Sequence, residues 1–273
     1  MKILKANPAR TKEYLEKYEK AKELYLQHNF SLTKAAGEVG IDRRSLSNSL
    51  KEEGYEIINK QNITKFDDTV FDKIDTEEKA YWLGFLYADG SISSNRNEIE
   101  LSLKSSDIGH LEKFKNFLNF SVDKHIFQDD IRCRFQITNK HLKETLISLG
   151  CVPRKSLIIT FPSEKQVPQY LQKDFIRGYI DGDGSVMINT RRNAGRINIL
   201  GTLDMLNGII NSMGWRQAKI HKKDTEKVYT VEWSGFYVTD YLDQLYENAT
   251  IYLDRKYQKY LEIKALTNCR SKE

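Results

Sequence analysis

The chain is poor in residues that break or staple a fold. Four prolines and fifteen glycines in 273 residues exclude collagen-like and low-complexity architectures. Its three cysteines, Cys133, Cys151 and Cys269, are scattered and odd in number. They make neither a disulfide frame nor a zinc knuckle and fit a reduced, intracellular protein. No apolar run is long enough to span a bilayer, and mean hydropathy is −0.59, so no membrane partner is expected. Met1 to Lys20 has a basic start but no apolar core of a secretory signal. What is present is a globular composition, 40% hydrophobic and 30% charged. That suffices for a sizeable core over about two domain-lengths. With 43 basic and 38 acidic residues the net charge is +5. This permits a nucleic-acid partner without requiring one.

The charge is not gathered in one tail. Residues 1–60 carry net +3, residues 61–165 net −1 and residues 166–273 net +3. The first part reads as helices over Glu13–Leu26, Leu32–Val39 and Arg43–Glu52. Ser31 and Asp42 stand at N-cap positions, Gly40 at a turn and Gly54 beyond the last helix. Helix, glycine turn and a helix opening on Arg43-Arg44-Ser45 is a helix-turn-helix pattern. Its second helix leaves Arg43, Arg44, Ser47, Asn48 and Lys51 to meet phosphates and base edges. A three-helix packing module without a nucleic-acid role gives the same pattern. The polar, acidic stretch 59–78 reads as a linker, and Phe161 to Pro168, with two prolines, reads as a break.

An internal repeat carries the strongest signal. Ala80 to Ile92 (AYWLGFLYADGSI) matches Asp174 to Val186 (DFIRGYIDGDGSV) at an offset of 94 residues without a gap. Gly84, Asp89, Gly90 and Ser91 recur as Gly178, Asp183, Gly184 and Ser185. Each copy reads as a short apolar helix ending at Asp-Gly. Gly84 and Ala88, like Gly178 and Gly182, lie four apart on one helix face. Small residues there let two backbones approach closely. If the copies pack together, Asp89 and Asp183 meet at helix C-termini, where the helix dipole and mutual repulsion disfavour both charges. A divalent cation relieves both penalties, and carboxylate and carbonyl oxygens suit Mg²⁺. A single Asp-Gly merely stops a helix and starts a turn; two with the same flanks favour a joint role. A calcium loop over Asp181–Arg192 fails, with Val186 and Arg192 where Gly and Glu are needed.

The repeat continues past the motifs. Strand-like Glu98–Lys104 and helical Asp107–Leu118 are echoed by Gly195–Leu200 and Leu203–Met213. Hairpins follow at His125–Gln128 with Ile131–Thr138, and at Ala218–Lys222 with Val228–Ser234. Helices at Lys140–Leu149 and Tyr237–Tyr246 precede an Arg-Lys pair in each half, Arg154-Lys155 and Arg255-Lys256. Two helix-strands-helices units imply a pseudo-two-fold α+β monomer over 79–165 and 166–273, preceded by an all-α module over 1–58.

Trp82 to Ser91 and Ile176 to Ser185 resemble the paired motifs of the LAGLIDADG homing endonucleases in their single-chain form. The resemblance covers about residues 76–273; Tyr87 departs from it, standing where an acid is common. It implies a duplicated αββαββα-type saddle of two antiparallel sheets straddling DNA. It implies Mg²⁺, with Mn²⁺ as a substitute, held by Asp89 and Asp183 with the carbonyls of Ala88 and Gly182. The metal would polarise each scissile phosphate for in-line attack by water. Lys155 and Lys256 align with the family's active-site lysines, which stabilise developing charge or assist water. The family cuts both strands across the minor groove, leaving short 3′ overhangs, on long pseudo-palindromic sites. The setting implied is the cytoplasm of a bacterium or phage-infected cell, with an organelle as the alternative.

Base reading would fall to sheet residues. Candidates are Lys104, Arg132, Arg134 and Gln136, then Arg191, Arg192, Arg196, Asn198, Lys219, His221 and Lys222. Arg132, Arg134 and Gln136 are two apart and share one strand face; Arg suits guanine edges and Gln adenine. A solvated sheet face alternates in the same way. Three other readings stay open: a DNA-binding regulator that does not cut, an intron maturase with RNA as partner, and an α+β protein whose repeats only pack.

Overall fold

The computed structural model describes residues 12–28, 30–55, 57, 66–120, 126–223 and 227–270. They fall into two compact units, one within residues 1–64 and one within 65–273. No helix among the described residues is long and apolar enough to cross a membrane.

The first unit contains α1 (Lys12–Leu26), α2 (Leu32–Val39) and α3 (Arg43–Glu52). Ser31 Oγ accepts from the Lys34 N–H at 3.2 Å, and Asp42 Oδ1 from the Ser45 N–H at 3.0 Å. Both caps satisfy N–H groups that a helix start leaves without a partner. Gly40, at φ 71°, closes α2 in the left-handed region that a glycine enters without strain. Tyr18, Ala21 and Tyr25 of α1 meet Leu32, Ala35 and Ala36 of α2 and Leu46 and Leu50 of α3 in a small core. Lys22 of α1 pairs with Glu53, just past α3, at 2.6 Å.

The second unit repeats one plan. α4 (Glu77–Asp89) runs directly into β1 (Gly90–Ile92), followed by β2 (Glu98–Lys104), α5 (Ile108–Phe117), β3 (Ile126–Gln128), β4 (Arg132–Thr138) and α6 (Lys140–Ser148). Then α7 (Gln172–Asp183) runs into β5 (Gly184–Asn189), followed by β6 (Ala194–Gly201), α8 (Leu203–Met213), β7 (His221–Lys222), β8 (Tyr229–Ser234), α9 (Val238–Tyr246) and α10 (Asp254–Arg270). The sheets have the same order, β1-β2-β4-β3 and β5-β6-β8-β7, with every pairing antiparallel. Alternating burial along β2 and β4 turns one sheet face to the core and leaves the other open.

Several elements differ from the sequence reading. The Asp-Gly steps do not open turns. Gly90 (φ −72°, ψ 147°) and Gly184 (φ −95°, ψ 168°) are extended, so each helix passes straight into an edge strand. The segment expected over Ala218–Lys222 is a strand only at His221–Lys222. His125 and residues 59–65 lie outside the described residues. From Phe66 onward the stretch read as a linker packs on the second unit, with Val70, Phe71 and Ile74 buried. The C-terminal helix α10 had no counterpart in the sequence reading.

The centre of the unit is the contact of α4 with α7. Residues 80–87 of α4 are all buried, which is why its sequence is apolar all round. A Cβ on Gly84 would stand 1.9 Å from the Phe175 carbonyl oxygen, and one on Gly178 would stand 2.0 Å from that of Tyr81. The helices therefore meet backbone to backbone, each glycine against the residue corresponding to the other's neighbour. At the far end, buried Arg177 donates to Glu77 (2.6 Å), Asp174 (2.8 Å) and the carbonyls of Leu245 (2.9 Å) and Ile251 (3.0 Å). Glu77 also accepts from the Thr250 N–H at 2.8 Å and hydroxyl at 3.0 Å. Because a buried guanidinium is costly without its charge partners, Glu77→Gln is expected to lower stability by about 1–2 kcal/mol. A denaturation midpoint equal to that of the wild type would rule this out.

Candidate active site

Asp89 and Asp183 are the last residues of α4 and α7, half-buried where the two helices end together. Gly182 makes the approach possible. A Cβ there would stand 2.3 Å from the Ala88 Cβ and 3.2 Å from Asp89 Oδ2. Burial raises the Asp89 pKa from 3.8 to about 6, and the Asp183 charge adds to the rise, against pulls from Lys256 and Lys155. Asp183 is also raised by burial, opposed first by Lys155, then by Lys256 and the Tyr179 hydroxyl. Two carboxylates at helix C-termini are thus held where neither ionises easily.

Both lysines are buried beside these acids. Lys155 donates to the carbonyls of Ala88 (3.2 Å) and Gly90. Lys256 donates to those of Ile180 (2.6 Å), Asp181 (2.7 Å) and Gly184 (2.6 Å). Each ammonium therefore sits on the end of a motif helix, where carbonyls lack partners and the dipole favours positive charge. Burial lowers the Lys256 pKa to about 8, with Asp181 the largest opposing influence.

A depression of about 500 Å³ opens beside Asp89, lined also by Gly182, Lys104, Asp107, Arg132 and Arg255. Arg255 is a site residue that the sequence reading left without a role; it donates to Asp107 at 2.9 Å. Its signal was adjacency to Lys256. Asp181 was also missed as a buried acid. It accepts from the Tyr81 hydroxyl (2.8 Å), the Tyr246 hydroxyl (2.6 Å) and the Leu253 N–H (2.8 Å).

On the first sheet Lys104 stands opposite Arg132, Ser102 opposite Arg134, and Glu100 opposite Gln136. Lys104, Arg132 and Arg134 are exposed and Gln136 is half-buried, all on the open face. Arg134 lies over the Phe127 ring at 5.2 Å and 4.0 Å from Glu100. Glu100 shares this face, as strand alternation alone implies. On the second sheet half-buried Arg196 pairs with Glu232 on β8, and Asn198 accepts from the Thr230 hydroxyl at 3.0 Å. Arg191 and Arg192 are exposed in the β5–β6 turn, where their N–H groups donate to Asn189 Oδ1. His221 and Lys222 are exposed on β7; Lys219 is exposed before it, outside the strand. In the first unit, Arg43, Arg44, Asn48 and Lys51 are exposed on α3 and Ser47 is half-buried.

The donor set fits a hard divalent cation: two half-buried carboxylates and adjacent helix-end carbonyls. Among the described residues no group of three or more His, Cys, Asp and Glu could hold a metal, so protein side chains would supply two ligands and leave other positions open.

No family model matches the sequence, and no curated protein matches it. Solved structures do. The chain is similar to LAGLIDADG homing endonucleases. I-GzeII in complex with its DNA target is 12% identical, with a TM-score of 0.49, over 73% of this chain and 92% of that one. I-LtrWI bound to target DNA is 13% identical, with a TM-score of 0.46, over 72% and 92%. I-AabMI bound to uncleaved DNA is 13% identical, with a TM-score of 0.46, over 70% and 91%.

Proposed function

We propose that the chain is a site-specific double-strand DNA endonuclease dependent on a divalent metal. One observation carries this reading: two acids at the joined ends of two contacting helices, each disfavoured as an anion, beside buried lysines. A packing role needs no such pair, and an unrelieved pair of this kind costs stability. Asp89 and Asp183, with the carbonyls of Ala88 and Gly182, would hold Mg²⁺ or Mn²⁺. When bound, such an ion supplies Lewis-acid polarisation of a phosphate and eases ionisation of water. The open sheet faces would carry the duplex, with Lys104, Arg132, Arg134 and Gln136 in one half and Arg191, Arg192, Arg196, Asn198, Lys219, His221 and Lys222 in the other. Buried basic groups at the centre would meet phosphate charge there. Cleavage of both strands across the minor groove with short 3′ overhangs, on a long pseudo-palindromic site, follows from the family resemblance, as does action as a monomer.

The test is incubation of a randomised-site DNA library with the protein and Mg²⁺, followed by sequencing of the ends. Recovery of one defined site with staggered ends supports the reading. Binding to a defined site without cleavage would favour the non-cutting regulator, and selective binding of intron RNA the maturase.

The raised acids give a pH signature. In the metal-free protein burial favours the protonated form of Asp89 over what the unfolded chain allows, so its stabilising contribution is complete below its ordinary pKa of 3.8 and is lost as pH rises through about 6. A cation between the acids reverses that preference. Mg²⁺ is therefore expected to raise the melting temperature at about pH 7.5 and to do little at about pH 5. Asp89→Asn should remove the response; an Mg²⁺ effect that is independent of pH would count against binding at this pair.

We assign the first unit a helix-turn-helix role in which α3 meets DNA. Replacing Arg43, Arg44 and Lys51 by Ala should lower the slope of log affinity against log salt by up to about 3, at roughly 0.9 per phosphate contact. An unchanged slope would leave this unit as a packing module.

A further inference from the structure

The open faces of the two sheets match in backbone and differ in chemistry. Gly90 pairs with Leu101 in the first half and Gly184 with Ile199 in the second, so the residues that follow them correspond. Ser102 is thereby the counterpart of Leu200, and Ser93 that of Met187. Leu200 and Met187 are each 37% exposed, large apolar side chains where the first half has a hydroxyl. A single apolar residue on a surface needs no explanation. These two share one face with Arg196 and Asn198, since Met187 stands opposite Arg196 and Leu200 is two residues past Asn198.

Their neighbours sharpen the contrast. In the first half Ser102 stands opposite exposed Arg134, and Lys104 opposite exposed Arg132. In the second half Leu200 stands opposite Thr230, whose hydroxyl donates to Asn198 at 3.0 Å. Arg196 is paired with Glu232, and Asn189 Nδ2 donates to Ser234 Oγ at 3.0 Å. On this face polar side chains bond to one another, while the apolar ones stay exposed.

We propose that Met187 and Leu200 are specificity-determining residues that read thymine by its C5-methyl group, one base each, in the half-site carried by the second sheet. This deepens the proposed function and rests on its placing of duplex DNA against the open sheet faces. A duplex presents mostly charged phosphates and polar base edges. The thymine methyl is the apolar group on its major-groove edge, and apolar side chains are its partners. Leu200 lies four residues from Arg196 along β6, and Met187 stands opposite Arg196. The two are therefore about 13 Å apart at the rise of a strand, and they meet different base pairs. Arg132, Arg134 and Gln136 on the first sheet suit guanine and adenine instead. The target is thus expected to differ in chemistry between its halves, with thymine at two fixed positions on one side.

The experiment measures binding of the full chain in Ca²⁺ to the site recovered from the library, by cutting or by binding. Each thymidine is replaced in turn by deoxyuridine, which removes the methyl group and keeps the pairing edge. For the wild type, two positions in one half-site should each lose about fourfold in affinity, the worth of burying one methyl group. Leu200→Ser should abolish the loss at one of them and Met187→Ser at the other. Deoxyuridine that is neutral at every position would overturn the proposal, and that measurement needs no variant. So would losses that survive in both variants. Binding with the expected pattern but no cutting in Mg²⁺ would instead remove the endonuclease reading and leave the thymine contacts standing. Cutting of a defined site with no deoxyuridine loss would do the reverse.

Discussion

Asp89→Asn is expected to reduce double-strand cleavage by about a thousandfold or more while leaving DNA affinity unchanged or raised. Asp183→Asn should do the same. The carboxylate and the amide are nearly equal in shape, so the tight packing of Gly182 against Asp89 survives the change. What is lost is one of two anionic ligands. A Lewis-acid contribution of several kcal/mol, at about 1.4 kcal/mol per tenfold in rate, corresponds to about three orders of magnitude. Affinity should not fall, because removing a carboxylate facing the DNA backbone removes repulsion. The metal-free Asn variants should also be more stable than the wild type near neutral pH, since both acids are raised by burial. The measurements are strand-resolved cleavage, binding in Ca²⁺ and thermal melting. Cutting at the wild-type rate by both variants would show that the chemistry lies elsewhere.

Gly84→Ala is expected to cost about 3–4 kcal/mol, a loss of roughly 10 °C in melting temperature for a unit of this size. One methyl group rarely does so much. Here it would stand 1.9 Å from the Phe175 carbonyl oxygen, and the atom it meets is backbone in a buried helix. No rotamer change relieves the clash, so α4 and α7 must separate along their contact. That movement also spreads Asp89 from Asp183, so cleavage should fall with stability. Gly178→Ala, 2.0 Å from the Tyr81 carbonyl oxygen, should match it. Gly109 makes the control. A Cβ there meets nothing within 4 Å, so Gly109→Ala should be neutral or slightly stabilising within helix α5. Equal melting of all three variants with the wild type would rule out the close helix contact.

Much of the second unit was legible because its signals are local and repeated. Alternation along Glu98–Lys104 marks β2 and its open face. The cap at Thr202 and the glycine at 214 bound α8 as periodicity alone bounds it. The edge strands β1 and β5 were implied by the αββαββα plan of the resemblance but not placed from the residues, because Asp-Gly usually opens a turn, whereas here each glycine stays extended and pairs with the next strand. The helix α10 was missed because its seventeen residues are strongly charged, with too weak an apolar period to announce a buried face. Leu253, just before it, and Tyr260 and Ile263 within it are nonetheless buried. Glu232 and Glu100 were passed over in favour of basic residues, although each faces an arginine across its sheet.

By itself the sequence determined the duplication, the small residues on each motif helix and the two acids at their ends. These follow from spacing, since a repeat at a constant offset and small residues four apart are properties of order along the chain. The tertiary structure alone decided what the lysines touch. Lys155 and Asp89 are 66 positions apart, and no local rule places an ammonium on a helix end formed that far away. It also decided that Asp181 is buried against Tyr81, Tyr246 and the Leu253 backbone, because those groups converge only when α4, α9 and the residue before α10 surround one carboxylate of α7. The carbonyls that each lysine meets among the described residues, those of Ala88 and Gly90 for Lys155 and those of Ile180, Asp181 and Gly184 for Lys256, likewise exist only in the folded contacts.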